Sequence, residues 1–200
     1  MLDLNRYTSP RLNPSQTRGK ERIRLVLATA LGLFRDKGIN HTTTNDIAEA
    51  AHIPIGSVYR YFQNKEEIIL AIADLQIEDV VTIFEEIAKN PLLSQLSWEE
   101  ILLLITNSWT QHAQLNDSFS FLYYLRCNQE LHAKARKRWA KVGIAYTNIL
   151  RKRNPAIPEA DIGVYLQITW GAVELGAMGG SALIHKSVRV VASYLDQHYA

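Results

Sequence analysis

The stretch HIPIGSVYRYFQNK, residues 52–65, decides how the rest of the chain is read. It follows the helix-like run TTNDIAEAA at 43–51, in which Thr43 and Asp46 stand at N-cap spacing and Ile47, Ala48 and Ala51 form an apolar face. A short helix, a turn of about four residues and a second short helix are the outline of a helix-turn-helix, whose second helix enters the DNA major groove. Val58 and Phe62, four apart, face the module's own core. Gly56 lets backbone come close to a duplex at the start of the second helix. Ser57, Tyr59 and Tyr61 offer hydroxyls to phosphates, and Arg60 can reach a phosphate or the N7 and O6 edge of guanine. Lys65 opens the next helix, where a cation beside backbone amides favours a phosphate. The spacing alone also fits a plain helical hairpin with aromatics at its rim.

The charge distribution agrees with a polyanion-binding head. Residues 1–65 carry 10 Lys+Arg against 5 Asp+Glu, whereas residues 66–200 carry 12 against 15. Hydrophobic residues make up 47% of the chain, enough for a sizeable core and against disorder as the default. One cysteine, Cys127, excludes an intrachain disulfide framework and fits a reducing compartment, so a cytoplasmic location is expected. Residues 1–17 lack a secretory apolar run and read as a flexible basic tail.

The periodicity is helical almost throughout, and the fold class is all-α with about nine helices. Ile23, Leu27, Ala30, Leu31 and Phe34 form one face of the first helix, and Gly38 stops it. Asn64 with Glu67 caps a long helix that Asn90-Pro91 ends. Ser97 with Glu100 caps the next, whose inward face runs Trp98, Ile101, Leu102, Ile105, Trp109 and His112. A segment from Asp117, a helix stopping at Asn154-Pro155, a long helix from Pro158 through Ile184 and a last one from Ser187 complete the chain.

The run LATALGLFRDKGINHTTTNDIAEAAHIPIGSVYRYFQNKEEIILAI, residues 27–72, resembles the N-terminal domain of the TetR/AcrR family of transcriptional regulators. The resemblance rests on Ala30, Phe34, Gly38, Thr42, Thr43, Ile47-Ala48, Ala51, Gly56, Val58-Tyr59, Tyr61-Phe62 and Lys65. It implies a homodimer with a three-helix DNA-binding domain at 18–65 and a helical ligand-binding and dimerisation domain at 66–200. By position, Thr43, Thr44, Ile55, Gly56, Ser57, Tyr59, Arg60, Tyr61 and Lys65 fall on or beside the family's DNA contacts. Tyr59, Tyr61 and Lys65 correspond to phosphate contacts; Ile55, Ser57 and Arg60 fall where bases are read. Three residues depart from the commonest pattern: His52 where glycine often turns the chain, Pro54 for a frequent serine, and Ile55 for a frequent lysine.

In the body, VYLQITWGAVELGAMGGSALI at 164–184 has Glu174 as its only charged residue. That carboxylate, Gln167 and the glycines argue against a membrane span. Small residues including Gly171, Ala172 and Gly176 permit close helix approach, and the resemblance implies a dimer interface within 158–199. Candidate ligand contacts are Trp109, His112, Tyr123, Tyr124, Cys127, Trp170, Glu174 and Met178, of which Trp109, Trp170, Tyr123 and Met178 suit plain core packing better. A carboxylate in so apolar a helix needs a partner or marks a site. The basic runs at 134–138 and 151–153 read as solvated faces, the second complementing a helix C-terminus.

No metal-ligand spacing, catalytic constellation or phosphate-cradling glycine loop is present, so neither a cofactor nor enzymatic turnover is expected. The expected function is that of a repressor that binds a palindromic DNA operator as a homodimer and is released by a small, largely apolar effector. The alternative is a helical DNA-binding architectural or interaction protein without an effector.

Overall fold

The structure, a computed structural model, describes residues 2–7, 17–115, 118–179 and 181–199. The described residues form nine α-helices and two 3-10 turns without a strand. Two compact units emerge: Met1–Gln76 with Ser120–Ala135, and Ile77–Phe119 with Arg136–Ala200.

In the first unit, α1 (Thr17–Lys37) buries Ile23, Val26, Leu27, Ala30 and Phe34, the face expected from spacing apart from half-buried Leu31. Gly38 ends it at φ 84°, a left-handed conformation that glycine adopts without strain. The buried Thr42 hydroxyl then donates to Gly38 O at 2.9 Å, fixing the connection. At Thr43 a reciprocal capping box forms: Asp46 N donates to Thr43 Oγ1 at 3.1 Å, and Thr43 N to Asp46 Oδ2 at 2.7 Å. This cap starts α2 (Thr44–Ala50), and α3 (Ile55–Tyr59) follows after a turn. His52 makes that turn at φ 52°, the left-handed conformation that histidine tolerates better than most residues. Pro54 leads into α3 at φ −59° with no side-chain cap.

α4 (Lys65–Ala88) opens on the expected Asn64 cap, Glu67 N donating to Asn64 Oδ1 at 3.0 Å. Ile47, Val58, Phe62, Ile68 and Ile72 close the core of the helical trio at 1% exposure or less. Most of α6 (Ser118–Cys127) and the first turns of α7 (Gln129–Arg153) belong to the same unit. Phe121 stacks on Phe34 at 6.3 Å, and Lys134 pairs with Glu66 at 3.1 Å.

The amino-terminal stretch differs from a free tail over residues 2–7. Asp3 caps a 3-10 turn at Leu4–Arg6, Leu2 is buried, and Tyr7 stacks on Phe62 at 6.1 Å. Residues 8–16 of the expected tail lie outside the described residues.

The second unit is built on α5 (Trp98–Leu115), the remainder of α7, α8 (Glu159–Gly179) and α9 (Ser181–Tyr199). The Ser97–Glu100 cap forms as expected, with Ser97 N and Oγ both on Glu100 Oε2 at 2.8 Å. The single helix expected from Pro158 through Ile184 is two helices. α8 ends at Gly179, and α9 begins at Ser181 rather than Ser187. Two adjacent glycines, each about 1 kcal/mol poorer than alanine in a helix, make 179–180 the weakest point of that apolar run. At its far end α9 is tied down: Trp98 Nε1 and Asn154 Nδ2 both donate to Tyr199 O, at 3.2 and 3.1 Å, and Tyr199 Oη donates to Asp161 at 2.6 Å. Deep in the core Tyr146 Oη lies 2.9 Å from Thr169 Oγ1, and burial pushes that phenol well above the usual tyrosine range.

His52→Gly should leave thermal stability unchanged within a few tenths of a kcal/mol, whereas β-branched His52→Val should cost about 1–2 kcal/mol, as measured by denaturant melts. Hydrogen bonds from Thr43, first its hydroxyl and then its amide, hold Asp46 below the ordinary carboxylate range. The cap's contribution is therefore complete above that range and is lost as pH falls through the lowered value. Asp46→Asn should flatten this acid-side dependence in circular-dichroism melts.

Candidate nucleic-acid interface

α3 is five residues long, and its two faces have opposite chemistry. Val58 is fully buried, with Phe62 beside it at 1%, while Tyr59 is 48% exposed and Gly56 and Arg60 face solvent. Ile55 and Ser57 are half-buried between the two faces. Burial of one edge thus orients the other outward, which is what a groove-reading helix requires.

Gly56 is not required by the fold. Its φ is ordinary, and a Cβ placed there would meet no atom within 4 Å. A glycine costs a helix stability, and no contact within this chain calls for one here.

The expected contact residues divide into distinct groups. Thr44 Oγ1, on the first turn of α2, lies 3.1 Å from the Tyr59 hydroxyl, so the two helices present one hydroxyl edge. Thr43 is committed to its capping box. Ser57, Arg60 and Tyr61 line a groove whose other wall is the start of α1. Tyr61 is largely buried, and the Arg60 guanidinium sits 5.8 Å from its ring centroid. Lys65 Nζ donates to Ile39 O at 2.8 Å, which fixes the ammonium at the α4 N-terminus. Glu67 accepts from Gln63 N at 2.8 Å beside it, so that helix end already holds a carboxylate.

The expected ligand contacts do not form one cluster. Tyr124 is half-buried and Cys127 exposed, both in the first unit. Side chains of Tyr123 and Met178 lie outside the described residues. In the second unit Trp109 and Trp170 meet edge to face at 4.5 Å, and Trp170 donates its indole N–H to Glu174. That bond answers the question of how Glu174 is accommodated. His112 Nε2 lies 3.5 Å from Asp79 Oδ2, both largely buried.

Sequence reasoning missed Trp139, which packs on Trp170 at 4.5 Å and completes an aromatic trio. Its buried indole N–H and the buried Thr110 hydroxyl have no hydrogen-bond partner among the described residues. Neither residue stood out in the sequence, Trp139 falling at the end of a basic run. No group of three potential metal ligands, and no helix long and apolar enough to cross a membrane, occurs among the described residues.

Comparison with known proteins bears on the same region. Residues 26–72 match the family model of bacterial regulatory proteins, tetR family. The chain is 26% identical to the HTH-type transcriptional repressor KstR2 of Rhodococcus jostii, over 80% of this chain and 81% of that one. It is 25% identical to the nucleoid occlusion factor SlmA of Haemophilus ducreyi, over 73% of each. Among solved structures, the transcriptional regulator FadR of Bacillus subtilis, in complex with stearoyl-CoA, superimposes with a TM-score of 0.65 at 19% identity, covering 86% of this chain and 96% of that one.

Gly56→Ala should separate folding from binding. We expect the melt to be unchanged or raised by up to about 1 kcal/mol, while affinity for the protein's duplex target falls, as read by fluorescence anisotropy.

Proposed function

We propose that this chain, which belongs to the TetR family of bacterial regulatory proteins and is a DNA-binding transcriptional regulator, acts as a homodimeric repressor whose hold on a palindromic operator is released by a small, largely apolar effector. The observation that carries the DNA reading is the outward face of α3: an exposed Tyr59 joined to Thr44, beside a glycine with open space above it. Ile55 is the residue for a thymine methyl, and Ser57 for a base edge or an adjoining phosphate. Tyr59 and Lys65 hold the backbone of the duplex. Each subunit reads one half-site, the two spaced by about one helical turn, 34–36 Å.

A homodimer is supported by an apolar stripe on the α8–α9 pair. Val164, Ile168, Leu183, Val190 and Tyr194 are all exposed, Val190 at 72%. In α8 the residues are four apart, and in α9 they follow at seven and four, so each set lies on one helix face. A stripe of this composition suits a second copy of itself across a two-fold axis.

The effector reading draws on the aromatic trio of the second unit. Trp139 Nε1–H and Thr110 Oγ1, both buried and without partners among the described residues, suit an apolar molecule bearing a hydrogen-bond acceptor. The structure of FadR of Bacillus subtilis, which shares the fold, holds stearoyl-CoA. The body's role is then binding rather than turnover, and the site of action is the cytoplasm.

The likeness to a nucleoid occlusion factor favours one second reading, a helical DNA-binding architectural or interaction protein without an effector. Genome-wide occupancy separates the two. A few sites beside regulated genes support the repressor, and dozens of dispersed sites indifferent to cell extract support the alternative.

Val190→Arg should convert the protein to a monomer by analytical ultracentrifugation and abolish the symmetric footprint, with the head still folded. A dimeric Val190→Arg protein with its footprint intact would place the interface elsewhere.

A further inference from the structure

A groove of about 570 Å³ runs along the first unit, between the start of α1 and the end of the recognition helix. Arg18, Gly19 and Arg22 form one wall, and Ser57, Arg60 and Tyr61 the other. Arg18 and Arg22 are one helical turn apart and therefore project from the same face of α1. Three arginines thus line one cleft, each carrying a charge that does not titrate in the physiological range.

None of the three forms an ion pair among the described residues, whereas three other cations of this unit do. Arg35 pairs with Asp36, Lys37 with Asp46, and Lys134 with Glu66 and Glu130. Convergent like charges repel one another unless an anion sits among them. Guanidinium forks offer pairs of N–H donors at the spacing of phosphate oxygens. The Tyr61 ring beneath Arg60 gives that side chain a platform, so less rotamer freedom is lost when it binds.

We infer that this groove is a phosphate clamp for the duplex backbone, built by Arg18 and Arg22 of α1 together with Arg60. The inference rests on the DNA-binding reading above and extends it from the helix-turn-helix to the first turns of α1. Ser57 borders both the groove and the outer face of α3, so a backbone in the groove is continuous with a base pair under the recognition helix. Of the two partners that chemistry allows Arg60, phosphate and guanine, the groove selects phosphate. The clamp reads no sequence; it sets register and adds electrostatic affinity.

The test uses the full-length protein, its footprinted duplex and a scrambled duplex of equal length. Binding is measured across a salt series for the wild type, for the double variant Arg18→Gln/Arg22→Gln, and for Arg60→Gln. The double variant should weaken both duplexes by the same factor and make the slope of log K against log salt shallower by about 1.8, since each phosphate contact contributes about 0.9. Arg60→Gln should act likewise, with a change of about 0.9. Ethylation interference should disappear at phosphates flanking the half-site and persist beneath Tyr59.

Unchanged affinity and slope in the double variant, with wild-type binding intact, would overturn the clamp and leave the regulator reading standing. A wild type that binds no duplex would overturn both. Loss of cognate preference with an unchanged salt slope would make these arginines base readers and overturn the clamp as well. Thermal shift with inorganic phosphate supplies a further arm. Stabilisation by phosphate that the double variant loses, while DNA binding is retained, would identify a free-anion site instead.

Discussion

A helix of five residues does not hold itself together in water, because nucleation takes most of what so few hydrogen bonds return. The outward face of α3, the candidate DNA surface, therefore depends on what is buried beneath the helix. Val58 and Phe62 supply that anchor from one side of the helix, and Ile53 supplies it from the turn before. Tyr7 adds a ring against Phe62 from the amino-terminal stretch. His52 in its left-handed turn sets the angle at which the helix leaves α2. Tyr59, Gly56 and Arg60 occupy outward positions because the inward face is taken by Val58 and Phe62, four residues apart. Core packing and the solvent-facing chemistry are two readings of the same eight residues, 55–62.

Much of this was legible in the sequence because the deciding signals are local. Thr43 with Asp46, Asn64 with Glu67 and Ser97 with Glu100 each form their cap at three-residue spacing, and each opens the helix expected. Val58 and Phe62 at four-residue spacing gave the buried edge of α3, and the family pattern around them gave the fold.

The remainder was hidden for physical reasons. From Val164 to Ile184 the sequence is apolar all round, so periodicity carries no boundary, and only the paired glycines hint at a break. The association of α6 with the first unit depends on Phe34 meeting Phe121 across 87 positions of sequence, which no window detects. The residue chemistry of 57–61 was evident, but the direction of each side chain was not: Arg60 and Tyr61 face the groove beside α1, whereas Tyr59 turns toward Thr44. Arg18 fell at the border of the stretch read as a basic tail, and Arg22 in the first turn of an ordinary amphipathic helix. Leu2 and Tyr7 were read by composition as part of a tail, yet over these few residues an apolar side chain and an aromatic ring find seats on the helical trio.

The chain has four tryptophans, and all of them, Trp98, Trp109, Trp139 and Trp170, lie in the second unit. The aromatic residues of the first unit are tyrosines and phenylalanines. Indole emission excited near 295 nm is therefore a private optical channel for one half of the protein, silent to melting of the other. Three of the four indoles touch edge to face, an arrangement that couples their near-ultraviolet transitions, so small rotations of Trp170 register as changes in ellipticity without any label.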